Sequence, residues 1–330
     1  MITKRSLIAT GLALPVSRPR PSAAAPQETV LRLGYLASRD SQIGRGSAEL
    51  VEQVRRLTGG RVRIEGYPNS QLGGEADILR DLEQGTLEMG FLTSAALSSF
   101  LPAMGIFDIP FLFRDLTHAR AVMDGPIGRE ALAAFEARGI VALAWGENGF
   151  RHVTTAARPV RGAADLRGLR IRVPQSEVML AAFKALGAEA RPLAFNELYA
   201  MLATGEFDAQ ENPISLIIAS RFYAVQKHLT LTAHVYSPAI VLIGKASFAA
   251  LGDADQAAIR QAGIAAAAVS RAQSELADKA GVEALQSRGM QVTRDYDRAS
   301  FVAALAPAEP VFARLFGRER IEAIRNTGKG

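Results

Sequence analysis

The chain contains no cysteine, which excludes disulfides, CxxC redox chemistry and thiolate metal sites together. Histidine is nearly as scarce. The four present, His118, His152, His228 and His234, form no HExxH or other close pair, so neither a metal nor a cofactor is expected. Also missing are a GxSxG elbow, a Walker phosphate loop and a GxGxxG after a strand. Serine-based acyl transfer and nucleotide chemistry therefore lack their usual parts, which argues against an enzyme. No apolar run reaches the roughly 20 residues that a membrane-crossing helix needs, and the mature protein is expected to be soluble.

Excess charge of one sign is lacking as well. Of the net +5, four charges come from Lys4, Arg5, Arg18 and Arg20 within the first 25 residues, which hold no acid, so the remainder carries only +1. A chain so nearly neutral has no net basic footprint for nucleic acid. Those first residues have a purpose of their own. Lys4 and Arg5 precede an apolar run from Leu7 to Val16, and Ala23–Ala25 supply small residues for cleavage. Residues 1–25 thus read as a secretory signal peptide of the general route, and the mature protein as periplasmic.

The remaining length suits about two domains. LRLGYL reads as a strand; Ala48, Val51, Val54 and Leu57 then recur at helical spacing before Gly59-Gly60. Val62 and Ile64 open the next strand, Ile78, Leu79 and Leu82 lie on a helix ending at Gly85, and Leu87–Leu92 form a short apolar strand. The alternation continues through Ile140–Trp145, Arg170–Val173, a helix over Val178–Leu186 and Ala190–Leu193, which predicts an α/β architecture. Tyr236–Ile243 reads as a strand returning to the first domain. From Asp253, a plausible N-cap, to residue 289 the chain is rich in helix formers with no proline, predicting one long helix or two nearly continuous ones.

One internal echo links the two halves. DLEQGTLEMG from Asp81 and MLATGEFDAQ from Met201 share a helix end, a stop glycine and a short strand, 120 residues apart. Ligands of open α/β sheets bind beyond the carboxyl ends of the strands. Two facing lobes would therefore set Thr93 and Ser94 opposite Glu211 and Asn212.

Polar groups suited to a small anion gather in a few segments: NGFR (Asn148–Arg151), GLRIRVP (Gly168–Pro174), LAFNELY (Leu193–Tyr199) and DAQENP (Asp208–Pro213). An arginine fork can grip both oxygens of a carboxylate. Alternation along the strand in GLRIRVP puts Leu169, Ile171 and Val173 on one face and both Arg170 and Arg172 on the other, so spacing does not choose between the two arginines. Asn212 offers a side-chain amide, and Pro213 holds its backbone extended.

With YPNSQLGGE (Tyr67–Glu75), these segments resemble the substrate-binding subunit of TRAP transporters, the DctP-type family, from about Leu31 onward. The resemblance implies a two-lobed periplasmic binding protein of type II-like α/β fold, with a long helix lying across both lobes. Lobe I would comprise 26–149 and 238–277, and lobe II 150–237 and 278–330, with the ligand cleft between them. It implies that Arg172 anchors an organic carboxylate, that Arg151 is a second basic contact and that Phe195 is an apolar wall. Asn212, Gln175, Ser94, Gln71 and Trp145 complete the expected ligand-binding set, and Glu211 is expected to hydrogen-bond structurally. FDIPFLF (Phe107–Phe113) and WGENGFR look closest to dicarboxylate-type members. The implied partner is a membrane permease, the only link to the membrane, with the protein itself expected to be a monomer. The rival readings are the binding protein of an ATP-driven transporter, a sensor subunit, and a secreted hydrolase or lyase.

Overall fold

A computed structural model describes residues 28–328; the expected signal peptide, 1–25, lies outside the described residues. The first half of the chain runs β1 (Thr29–Tyr35), α1 (Gln42–Leu57), β2 (Val62–Tyr67), α2 (Glu75–Gln84), β3 (Met89–Thr93) and α3 (Ser94–Phe100). After a 3₁₀ segment, Pro102–Asp108, come α4 (Leu116–Asp124), α5 (Pro126–Ala133) and the 16-residue β4 (Ile140–Thr155). The second half adds β5 (Arg170–Val173), α6 (Glu177–Ala185), β6 (Glu189–Pro192), α7 (Phe195–Ala203), β7 (Ala209–Pro213) and α8 (Ile214–Ala219). Then follow the 17-residue β8 (His228–Gly244), α9 (Lys245–Ala249), α10 (Asp253–Ser287), β9 (Gln291–Thr293), α11 (Arg298–Ala304), α12 (Glu309–Phe316) and α13 (Arg318–Asn326).

The strands form one path, β2-β1-β3-β8-β4-β7-β5-β6, with β9 beside β8. Register divides that path in two. The parallel β1, β2 and β3 join through β3 to the late part of β8, Ala239–Ile243. The parallel β5, β6 and β7 join through β7 to the late part of β4, Arg151–Thr155, while β9 pairs with the early part of β8. Two lobes therefore share β4 and β8 as crossing strands. The sequence reading stopped both strands short because their middles are polar: Glu147, Asn148 and Gly149 in one, Thr230, Thr232 and His234 in the other.

The echo at 120 residues is a repeat of elements. Gly85 and Gly205 both end helices in the left-handed conformation, at φ 74° and 73°, and β3 and β7 then start at Met89 and Ala209. Each strand feeds directly into a helix, α3 at Ser94 and α8 at Ile214. The two strand ends consequently play equivalent parts in the two lobes.

The long stretch after residue 252 is a single 35-residue helix whose N-cap is Gly252; Asp253, expected as the cap, lies in the first turn, where its charge still suits the helix dipole. Its interior glycines mark close approach. A Cβ on Gly263 would sit 2.8 Å from Leu143 of β4, and one on Gly281 would sit 2.4 Å from Ile214 of α8, so the same helix is pressed against both lobes. Between these contacts the crossing strand β4 kinks, with a register shift between Glu147 and Gly149. Gly149 has φ +119°, and a Cβ there would meet Ser274 Oγ at 2.6 Å. Gly149→Ala is therefore expected to cost about 2 kcal/mol, through a strained φ and a clash with α10. Thermal denaturation would register this as a fall of several degrees.

The cores follow from the apolar patterns. Ile43, Leu50 and Val54 of α1 are fully buried with Leu31 and Leu33 of β1, whereas Ile171 and Val173 of β5 pack with Phe183 of α6. Each such side chain contributes about 1.5–3 kcal/mol of transfer free energy. One segment departs from expectation. Arg298–Phe316 is, by length and composition, apolar enough to cross a membrane. In the structure it is divided into α11, a 3₁₀ turn and α12, and Phe301, Leu305 and Phe312 are buried in the core.

Candidate functional site

Two arginines alternate on β5, and their surroundings separate them. Arg170 is half-exposed and forms a two-pronged ion pair with Asp208, 2.6 Å from Nη2 to Oδ1 and 2.9 Å from Nε to Oδ2. Arg172 is 3 % exposed, and its Nε and Nη2 both donate to the carbonyl of Leu193, at 2.9 and 2.7 Å. No carboxylate among the described residues lies within ion-pair distance of it. Burial, helped by the neighbouring charge of Arg151, draws its pKa down to about 10, against the pull of Glu211 and Glu75. The group stays charged at neutral pH. A buried cation bonded only to a neutral carbonyl is costly, and an incoming anion would offset that cost.

Arg151 is the other buried cation, and it is already paired. Its Nε and Nη2 bind the two oxygens of Glu211 at 2.5 and 2.7 Å, and Nη2 also donates to the Glu211 carbonyl. His234 lies 3.2 Å from the same carboxylate, through Nε2. Despite full burial, which opposes ionisation, the Arg151 charge and its hydrogen bonds hold Glu211 down at about 2. Glu211 thus has the structural role expected of it. Arg151, expected as a second basic contact, has most of its guanidinium committed to Glu211 and Asn212. Asn212, 1 % exposed, donates through Nδ2 to Gln210 Oε1 at 2.5 Å, and its Oδ1 accepts from Arg151 at 3.3 Å. Gln210 passes the chain on to Thr154 and Gln226.

Lobe I brings two acids toward these cations. Glu75, the first residue of α2, accepts from the Thr93 backbone N–H at 2.7 Å and from its hydroxyl at 3.2 Å. Burial of its carboxyl raises it to about 7, although Arg172 and Arg151 pull the other way. Asp108, 1 % exposed, accepts from Ser94 Oγ at 3.0 Å and from Ser176 Oγ at 2.9 Å, and burial lifts it to about 6. The lobes are closely apposed here. A Cβ on Gly74, beside Glu75, would lie 3.8 Å from Asn196 Oδ1 at the start of α7.

Phe195 opens α7 half-buried, with its ring 5.9 Å from that of Phe222, and packs against apolar clusters of both lobes. Ser94 is near the centre but committed to Asp108. The other expected contacts are elsewhere. Gln175 is exposed and lines a groove with Ser98 and Leu315, and Gln71 is exposed in the turn before α2. Trp145 is a core residue of lobe I: its indole N–H donates to the Gly128 carbonyl at 3.0 Å, and its ring meets Phe107 edge-on. Asp108, Ser176 and Glu75 are absent from the set of contacts expected from the sequence. A lone acid inside the apolar run FDIPFLF was the available signal for Asp108.

The crossing strands are wired together nearby. Glu147, fully buried, pairs with Arg120 at 3.1 Å and accepts from the Tyr236 hydroxyl at 3.1 Å. Gln42 donates to Asn148, which donates to Ser237 on β8. A cavity of about 840 Å³ lies behind this wiring, between α4, α10 and β8. Its Arg120 and Arg114 are engaged with Glu147, Glu275 and backbone carbonyls and its Arg294 is exposed, whereas Arg172 is a buried cation with no carboxylate partner. Among the described residues no group of three or more His, Asp or Glu is arranged to hold a metal.

Two α/β lobes joined by crossing strands, strapped by one helix and holding a partly compensated cationic centre between them, are the build of a solute-binding protein. The family described as bacterial extracellular solute-binding protein, family 7, matches residues 33–314. A solute-binding protein of Verminephrobacter eiseniae is 43% identical over 304 residues, covering 92% of this chain and 91% of its own. A TRAP periplasmic solute-binding protein from Polaromonas sp. JS666, solved with D-erythronate, is 40% identical with a TM-score of 0.89, covering 91% of this chain and 99% of that one. One from Sulfurospirillum deleyianum, solved with succinate, is 27% identical with a TM-score of 0.87 over the same shares. The chain belongs to the DctP family, the periplasmic solute-binding proteins of TRAP transporters, which are not enzymes.

Proposed function

We propose that this protein captures a hydroxylated monocarboxylate between its lobes, with the carboxylate on Arg172, and hands it to a TRAP membrane permease. The observation that carries this reading is the buried Arg172, charged at neutral pH, whose fork meets only a carbonyl oxygen. Arg151 adds positive potential, Asn212 fixes orientation and Phe195 covers the carbon chain. Residues 1–25 direct export, the protein works as a monomer, and the lobes meet at Gly149/Phe150 and Ser237/Pro238, with α10 passing between them near residue 277.

The hydroxy acid is preferred here to the dicarboxylate that the FDIPFLF and WGENGFR segments suggested. Glu75 and Asp108 lie on the lobe I side, and a second carboxylate would have to approach them; a hydroxyl can instead donate to an acid. D-Erythronate, bound by the 40% identical Polaromonas protein, has that chemistry, whereas the succinate-binding protein is more distant at 27%.

A calorimetric panel of four- to six-carbon hydroxy acids, succinate and neutral polyols tests this directly. Hydroxy acids are expected to bind at least tenfold tighter than succinate, and polyols not at all. Because Glu75 titrates near 7, succinate is expected to gain affinity as pH falls from 8 to 6 and the acid loses its charge, while hydroxy acids change little. Equal binding of neutral polyols would remove the carboxylate clamp; tighter binding of succinate at pH 8 would restore the dicarboxylate reading.

A further inference from the structure

We infer that Asp108 is a latch between the lobes, a positioning residue that holds the cleft shut through Ser176 and sets how long the ligand stays. This rests on the capture of ligand between the lobes proposed above. The geometry is specific. One carboxylate oxygen accepts from Ser94, at the start of α3 immediately after β3 of lobe I, and the other accepts from Ser176, the N-cap of α6 just after β5 of lobe II. A single side chain thus ties together the carboxyl ends of strands from the two lobes, where the sheets face each other.

The three groups are sealed. Asp108 is 1 %, Ser94 0 % and Ser176 3 % exposed, so opening the cleft would break the Ser176 bond and admit water to the carboxylate. Asp108 itself is anchored on the lobe I side. The 3₁₀ segment that ends in it packs chiefly against α3 and the crossing strand β8, and more lightly against α6 and α12 of lobe II, with Phe107 in the core beside Trp145. The charges that face it are Arg151 and Glu211, which reach it from β4 and β7. Arg151 favours the ionised carboxylate and thereby a stronger bond from Ser176, whereas Glu211 opposes it. Neither serine hydroxyl is needed to satisfy Arg172, so the latch is separate from the carboxylate anchor.

A charge-assisted hydrogen bond made only in the closed form slows opening, so its loss appears in the dissociation rate while association is little changed. Ser176→Ala and Asp108→Asn are each expected to speed dissociation of D-erythronate about tenfold or more, and the double variant no further than the larger single effect. Ser176→Thr, which keeps the hydroxyl and the cap, should dissociate like wild type. The absence of cysteine allows a second readout: spin labels at Glu52→Cys and Glu197→Cys report the distance between lobes with and without ligand. The latch predicts a smaller closed population in Ser176→Ala than in Ser176→Thr. Unchanged dissociation together with an unchanged distance distribution would overturn it. If wild type bound no acid at all, the reading of the previous section would fail, and the label distances would still decide the latch.

Discussion

Arg172→Ala is expected to raise the dissociation constant for the carboxylate ligand by about 10²–10³-fold, the usual consequence of removing one partner from a buried, hydrogen-bonded charge pair. The same change should leave the unliganded protein nearly as stable as wild type. Removing a buried cation that has no carboxylate partner relieves a desolvation penalty of several kcal/mol, while Leu193 loses a donor worth about 1–3 kcal/mol. These effects oppose each other. Arg172→Lys should be intermediate, because an ammonium keeps the charge but not the planar two-pronged geometry. Calorimetry and thermal denaturation on the same samples separate the two quantities. A large loss of unliganded stability without loss of binding would mean that Arg172 is structural.

Glu211→Ala should do the reverse, striking stability first. It strands Arg151 in the interior, close enough to Arg172 for the two cations to repel, and breaking a buried pair in this way costs about 3–5 kcal/mol. Replacing both partners, as Arg151→Met with Glu211→Leu, should recover much of that stability without recovering affinity. The pair also sets an acid limit. Glu211 titrates near 2 in the folded chain against 4.5 ordinarily, so its contribution is complete above about pH 4.5 and is lost as pH falls toward 2. His152, which burial and the neighbouring His234 hold down near 3, adds a loss that begins as pH drops below 6.5. Glu75 and Asp108 have raised values, so their titration favours the folded state at low pH and costs stability as pH rises toward 7 and 6. Urea denaturation across pH 3–8 measures the sum, and the Glu211→Ala curve should lack most of the fall below 4.5.

The elements whose signals are local were legible in the sequence. Stop glycines at 85 and 205, the helical spacing of Ile78, Leu79 and Leu82, and the proline-free run after residue 252 each specify structure from neighbours alone. The long crossing strands were not, because Glu147, Asn148 and Gly149 break the apolar alternation where the chain passes from one lobe to the other, and their polar groups are satisfied by distant elements, α1, α4, α10 and β8. The segment 298–316 shows the same dependence on context: its length and composition suit a membrane span, yet its helices are short and its apolar face is covered by the core.

The site divides similarly. Residue type marked Arg172 as a suitable anchor, but alternation left it level with Arg170. The tie is broken by Asp208, 38 residues further on, which pairs with Arg170 and leaves Arg172 inside. Asp108 and Ser176, 68 residues apart, meet only because β3 and β5 end at the same cleft. For Trp145 and Gln175 the local sequence was silent about placement. Nothing in their neighbourhoods could reveal that one ring is consumed by Gly128 and Phe107, or that the other side chain leaves the cleft for the surface.

The most direct test is a crystal structure of the mature protein with the hydroxy acid that most raises its melting temperature. The account predicts both carboxylate oxygens within hydrogen-bond distance of Arg172, Phe195 over the carbon chain, and ligand hydroxyls toward the Glu75 side of the cleft. A ligand held elsewhere, with the Arg172 fork still bonded only to the Leu193 carbonyl, would contradict it.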